Sequence, residues 1–325
     1  MRRHGDAVAQ CAATVTPSAV PRVSVVMPVY NGERFIAEAV RSVLASSFRD
    51  FELLILDDGS TDTSMSLAAS IARGDERVHL IALQHGGIAA TRNAGLEYAR
   101  ADLIANLDAD DAMFPNRLTR QVAYLDRHPE CLAVGSRSVV VDADSRPVGI
   151  AGRYFSHDDI DQSLLGGNGG AIGNDTAMIR KHAALAVGGY AVQLHATGED
   201  HDMWLRLAEK GRLVCLPEVL NRYRIHQTNA SLGEGSKERR LPVTLDNLAR
   251  AFARRSITDR TPAKAAPVPM SPGERWRDRA LLQYFSGNRR EAATRVLAAA
   301  ALHPGTPGMA SAVRAIFGST PPRWL

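Results

Sequence analysis

Val23-Ser-Val-Val-Met-Pro-Val-Tyr-Asn-Gly-Glu33 decides the fold. Its short, mostly apolar run ending at Pro28 has the length and composition of a strand buried on both faces, and the polar Tyr30-Asn31 that follows reads as a loop. Phe35, Ile36, Ala39, Val40, Val43 and Leu44 then recur at helical spacing between Arg34 and Ser46. Phe51-Glu-Leu-Leu-Ile-Leu56 gives a second buried strand. Strand, helix and strand at this spacing make a βαβ unit, which joins parallel neighbours.

Working outward, the alternation continues. A helix is predicted over Thr63 to Ala72, a strand over Val78 to Ala82, a helix over Ile88 to Arg100, a strand over Leu103 to Leu107 and a helix from Pro115 to Arg127. This predicts an α/β fold with a mainly parallel, Rossmann-like sheet flanked by helices. Ligands of such sheets bind outside the carboxyl ends of the strands. Tyr30-Asn31, Asp57-Asp58 and Asp108-Ala-Asp110 all fall there.

Beyond Arg127 the pattern loosens. Strands are expected at Leu132 to Val141, Asp175 to Ile179 and Leu213 to Pro217, with Gly166 to Gly170 as a mobile loop and Trp204, Leu205 and Leu207 anchoring a helix from Asp200 to Lys210. A charged helix over Lys237 to Arg255 leads to the Pro- and Ala-rich stretch Thr261 to Pro272, a linker by composition. Glu274 to Leu302 reads as two helices broken at Gly287, and a last helix ends near Phe317. The chain is thus divided into a flexible extension (1–20), an α/β domain (21–235), a helix and linker (236–272) and a helical tail (273–325).

Among 325 residues, 45% are hydrophobic and 23% charged, values that exclude a disordered or disulfide-stapled chain. The net charge is +4, with arginine concentrated toward the C-terminus. No basic run is interleaved with aromatics, so nucleic acid is set aside as a partner. Cys11, Cys131 and Cys215 lack metal-site spacing and are expected to be small core residues of a reduced, cytoplasmic protein. Arg2 and Arg3 precede no unbroken apolar region, so a signal peptide is not expected, and no run long enough to span a bilayer occurs.

Asp108 and Asp110 can both project from a strand end into the crevice. Hard divalent cations take such oxygen ligands, and magnesium is commonly held by one or two carboxylates together with substrate phosphates. The plain alternative is that the two acids cap the helix starting near Pro115. For Asp57-Asp58-Gly59 it is a turn, and for Thr197-Gly-Glu-Asp200 a capping box whose acids meet the helix dipole.

Five segments in order resemble the family 2 glycosyltransferases of the GT-A fold. They are Val23 to Glu33, Leu56-Asp-Asp-Gly-Ser-Thr-Asp62, Ala90-Thr-Arg-Asn-Ala-Gly95, Asn106-Leu-Asp-Ala-Asp-Asp111 and Gly198-Glu-Asp-His-Asp-Met-Trp204. The resemblance runs from Val23 to about His226 and makes 21–235 the catalytic domain. It implies that Pro28, Tyr30 and Glu33 lie in the loop facing the nucleotide base, and that Asp58 pairs with a ring nitrogen of a uridine nucleotide. It places Arg92 near the donor phosphates. Asp110 is implied as a ligand of Mn2+ or Mg2+, with Asp108 supporting the metal or the ribose and His226 near the metal or diphosphate. Glu199-Asp200 matches an acidic pair in which the aspartate is general base and the glutamate contacts a sugar. Trp204 packs its helix near the acceptor pocket. Where many relatives have an asparagine this chain has His85, so no base or ribose contact is transferred there.

The resemblance therefore implies inverting transfer from a nucleotide-sugar donor to a glycan or lipid-linked acceptor in cell-surface polysaccharide synthesis. Two other classes are weighed. A dinucleotide-dependent oxidoreductase needs a glycine-rich turn where this chain has Pro28-Val-Tyr-Asn31. A non-catalytic sugar-nucleotide-binding module would have no use for Glu199-Asp200. Arg254, Arg255, Arg277, Arg279, Arg289 and Arg290 suggest peripheral contact of the tail with an anionic inner membrane face.

Overall fold

The computed structural model describes residues 20–318 except 195, 196, 228, 230–235, 260, 262, 264, 266 and 267. The expected N-terminal extension and Cys11 lie outside the described residues, as does part of the linker.

The first half follows the periodicity closely. β1 (Val23–Val29), β2 (Phe51–Asp57), β3 (Val78–Ala82) and β4 (Leu103–Asn106) alternate with α1 (Ile36–Leu44), α2 (Ser64–Ala72) and α3 (Ile88–Tyr98). The strands pair in parallel in the order β3-β2-β1-β4. Alternate residues feed opposite cores. Val23, Val25, Met27, Phe51, Leu53 and Ile55 pack toward α1, whereas Val26, Leu54 and Leu56 pack with Ala89 and Leu96 of α3. Pro28 is tolerated inside β1 because the β4 ladder stops at the Val26–Asn106 pair, where an N–H toward that side is no longer needed.

The second half is mixed rather than parallel. After β5 (Ala112–Met113) and α4 (Arg117–Arg127) come β6 (Cys131–Val141), β7 (Pro147–Ala151), α5 (His157–Leu165), β8 (Met178–Arg180), α6 (Lys181–Ala186), α7 (Glu199–Ala208) and β9 (Arg212–Arg224). β8 lies antiparallel to β4 and β6, β5 is antiparallel to β9, and only β6 and β9 pair in parallel. β9 runs well past the expected end at Pro217. The register jumps from Ser136–Leu216 to Arg137–Val219, and this bulge takes up the proline, which cannot donate to a ladder. The expected strand at Asp175 is a single 3-10 turn, Asn174–Thr176, before β8. α5 has a local signature that the hydrophobic pattern hides: Ser156 accepts from the Asp159 amide, and Asp158 and Asp159 occupy the first turn.

α8 (Ser236–Arg254) lays Leu248, Ala251 and Phe252 into the core shared with α7. α9 (Pro272–Phe285), α10 (Arg289–Leu302) and α11 (Met309–Gly318) enclose a third cluster, in which Leu281, Phe285, Val296 and Met309 cover Phe114, Val139 and Val141. Of the expected membrane-facing set, Arg277 lies inside the protein, while Arg254 and Arg255 are held in ion pairs at the surface. Arg254 and Arg255 pair with Glu209, Arg255 also with Asp161, and Arg277 is fully buried against Asp278 and the Pro307 carbonyl. Arg279, Arg289 and Arg290 stay exposed. Among the described residues no helix is long and apolar enough to cross a membrane.

Candidate active site

Parallel strands end on one edge, so the loops leaving β1, β2 and β4 meet there, and the start of α7 and the end of β9 close around them. Asp57 makes the turn after β2, its Oδ1 accepting from the Ser60 amide at 3.0 Å. Asp58 faces elsewhere: its oxygens accept from the Gly86 and Gly87 amides at 2.8 and 3.0 Å. Gly87 is the N-cap of α3 and Gly86 precedes it, so Asp58 fastens the turn that leads into the helix. His85 Nδ1 lies 2.9 Å from the Asp58 carbonyl, so Nδ1 carries the proton. The His85 ring is 4.7 Å from that of Tyr30, and both are more than half exposed. Glu33 serves the loop scaffold, since its Oε2 accepts from the Thr63 amide and hydroxyl.

Asp108 and Asp110 do not cap α4, whose N-cap is Asn116 and has no side-chain bond. They project into the crevice with 33% and 29% of their side chains exposed. Asp110 Oδ2 is 2.9 Å from His226 Nε2 and accepts from Asn229 Nδ2 at 3.1 Å. The Asp110 carbonyl accepts from Arg224 Nε, and Arg224 Nη2 pairs with Glu38. Phe35 packs its ring 4.8 Å from that of His226. Asn229 is a site residue that sequence reasoning missed. Its only signal is that it lies one turn beyond His226.

The loop rests on buried polar groups. Asp111 Oδ1 accepts from the Arg224 amide, Asp175 accepts from Asn221, and Arg117 donates to the Asn106 carbonyl and to Asn221. Burial pushes the Asp111 carboxyl well above its usual range and Asp175 up to about 6, each reinforced by neighbouring acids. Each carboxyl is thereby biased toward its neutral form.

On the other wall, α7 starts at Glu199 with no capping box. Its N-cap is Gly198 at φ +80°, where a side chain would be strained and a Cβ would meet Val243 at 2.8 Å. Asp202 forms an i,i+4 pair with Arg206, and Trp204 is fully buried in the core. Glu199 and Asp200 meet the positive end of the helix. Asp200 Oδ1 accepts from the His201 amide at 2.7 Å. Burial pushes Glu199 up to about 7, Asp200 adds to this and Arg92 opposes it; burial likewise raises Asp200, against the pull of Arg92. Arg92, implied near the phosphates, is buried in the wall between two acids. Nη1 donates to Glu199 Oε1 at 2.6 Å and Nη2 to Asp108 Oδ1 at 2.9 Å. Cys131 and Cys215 are buried with thiols raised to about 11 and about 12 by that burial, far from a nucleophile's range.

A divalent cation suits the donor set at Asp110, where a carboxylate and an imidazole sit side by side. Among the described residues no three acids, histidines or cysteines gather into a complete metal site, so the remaining ligands would come from substrate oxygens and water.

A sheet that is parallel at one end and mixed at the other, with acids at the strand ends and a second acidic pair across the crevice, is the GT-A arrangement. The sequence model of glycosyl transferase family 2 matches residues 24–185. EpsE of Bacillus subtilis (strain 168), named as a glycosyltransferase, is 33% identical over 231 residues, covering 70% of this chain and 79% of EpsE. An uncharacterised glycosyltransferase of Haemophilus influenzae is 27% identical, covering 70% and 73%. The crystal structure of S. aureus TarS 1-349 in complex with UDP-GlcNAc aligns with a TM-score of 0.56 at 16% identity, over 91% of this chain and 80% of that one. The mannosyltransferase PcManGT of Pyrobaculum calidifontis, in complex with GDP-Man and Mn2+, aligns at 0.53 with 20% identity, over 91% and 79%. The chain belongs to glycosyl transferase family 2 and is a glycosyltransferase.

Proposed function

We propose that the enzyme transfers a hexosyl or N-acetylhexosaminyl group, with inversion, from a UDP-sugar to a hydroxyl of a glycan or lipid-linked acceptor in cell-surface polysaccharide synthesis. The observation that carries this reading is that Glu199, beside Asp200 at the start of α7, is tied through the Arg92 guanidinium to Asp108 in the loop after β4. A raised carboxylate is a better base, and one beside the acceptor takes the hydroxyl proton as the oxygen attacks the anomeric carbon. The bond from that carbon to the nucleotide diphosphate breaks, and its electron pair leaves with the diphosphate. Asp200 ends the step protonated, and no covalent enzyme intermediate forms.

Asp110, with Asp108 and His226, would hold the divalent cation, which when bound supplies positive charge against the departing diphosphate. Tyr30 and Asp58 would face the base, with Pro28 and Glu33 shaping that loop, and the UDP-GlcNAc complex of TarS supports uridine as the first nucleotide to test. Residues 21–235 form the catalytic domain in this reading, and the work is cytoplasmic. Contact with an anionic membrane face falls to Arg279, Arg289 and Arg290; vesicle flotation that survives their replacement would remove it.

The test uses the purified full chain, a panel of nucleotide sugars with Mn2+ and simple glycan acceptors. Acceptor-dependent release of nucleoside diphosphate and an inverted anomeric configuration by NMR are expected. Binding without any release would favour a non-catalytic module, and retained configuration would end the single-displacement mechanism.

A further inference from the structure

We infer that Arg92 is a positioning residue that couples the donor-side carboxylate Asp108 to the acceptor-side carboxylate Glu199, an inference that rests on the two-sided reading of the site given above. Arg92 is 5% exposed, and its guanidinium divides its two terminal nitrogens between acids from different parts of the chain, Glu199 at 2.6 Å and Asp108 at 2.9 Å. Its remaining surroundings fix it further. In the amide orientation that satisfies both its oxygen and its nitrogen, Asn174 accepts from Nη2 and Nε at 3.1 Å, and the Tyr190 ring centre lies 5.6 Å from Cζ.

When Glu199 is ionised it carries the same charge as Asp108, and the two are held near one another by the cation between them. Because the guanidinium is a rigid planar fork, a shift of one acid is felt by the other, which a lysine point charge would not transmit. Asp108 also has a competing attraction, since it stands beside the residue that would hold the divalent cation. When Glu199 is neutral, Arg92 is less compensated and grips Asp108 harder. Donor binding then weakens, and the linkage is reciprocal.

The probe is UDP with Mn2+, titrated by calorimetry into the full chain, Glu199→Gln, Arg92→Lys and the double variant. Glu199→Gln is expected to weaken binding by about fivefold or more. In the Arg92→Lys background the same change should matter by under about twofold. An Arg92 that merely supports the fold would lower thermal stability and leave the effect of Glu199→Gln the same in both backgrounds. That equality, or no effect in either, overturns the inference. If the unsubstituted chain binds neither UDP nor GDP with Mn2+, the donor reading fails, and the coupling is decided without ligand. Thermal unfolding should then show Glu199→Gln and Asp108→Asn non-additive with Arg92 present and additive with Arg92→Lys; additivity in both backgrounds overturns it.

Discussion

His226 Nε2 lies 2.9 Å from Asp110 Oδ2 although 116 residues separate them in the chain. β9 brings the two together, because its end runs beside β5 and the Asp110 loop. If this pair holds the cation, chelation with EDTA abolishes transfer and Mn2+ restores it. Replacing His226 by Gln should lower apparent Mn2+ affinity by about 10-fold or more, since loss of even an outer partner of a metal ligand costs about 10- to 100-fold. Transfer rates measured across a Mn2+ titration check this, and full activity in EDTA would contradict it.

The acidic pair also sets a pH dependence. Transfer requires an ionised Asp200, whose carboxyl is raised by burial, so the rate should fall on acidification at a pH above the ordinary aspartate range. Removing the guanidinium that opposes this rise, by Arg92→Gln, should move that limb to higher pH. Stability responds in the opposite sense. Glu199 is raised from 4.5 to about 7 in the folded chain, so the native state binds the extra proton, and stability falls as pH rises between those values. Thermal melts across this window should show the slope, and Glu199→Gln should flatten it.

Gly95 tests how closely α3 must approach β1. A Cβ there would sit 2.4 Å from Val26 Cγ1. Helix propensity alone favours alanine by about 1 kcal/mol, while overpacking of a filled core costs about 1–3 kcal/mol. A contact this short, against β-branched Val26 in the central strand, makes overpacking the larger effect. Gly95→Ala should therefore lower Tm, and adding Val26→Ala should restore part of the loss. A rise in Tm with Gly95→Ala alone would show that the interface has room.

Much of this was legible in the chain, for identifiable reasons. β1 and β2 are covered on both faces, so they read as apolar runs, and the acids at their ends mark the binding edge. Pro217 misled because a bulge, which depends on the partner strand, lets β9 pass through it. The mixed half of the sheet was missed because β8 is three residues long, too short for any period to register. Arg92 and Asp58 show the limit most clearly. Local sequence puts Arg92 on a helix as a solvated charge and Asp58 in a turn. Their partners, Glu199 and the amides of Gly86 and Gly87, are defined only once the chain has folded. The same holds for Asn221 beneath Asp175, far from it in sequence.

The central claim is that Asp200 takes the acceptor proton. The most direct measurement is single-turnover transfer by Asp200→Asn with saturating donor, beside calorimetric UDP·Mn2+ binding to the same variant. Transfer should fall by about 10²- to 10⁴-fold, the contribution of a positioned general base, with nucleotide affinity nearly unchanged. Near-normal transfer by Asp200→Asn would contradict the account.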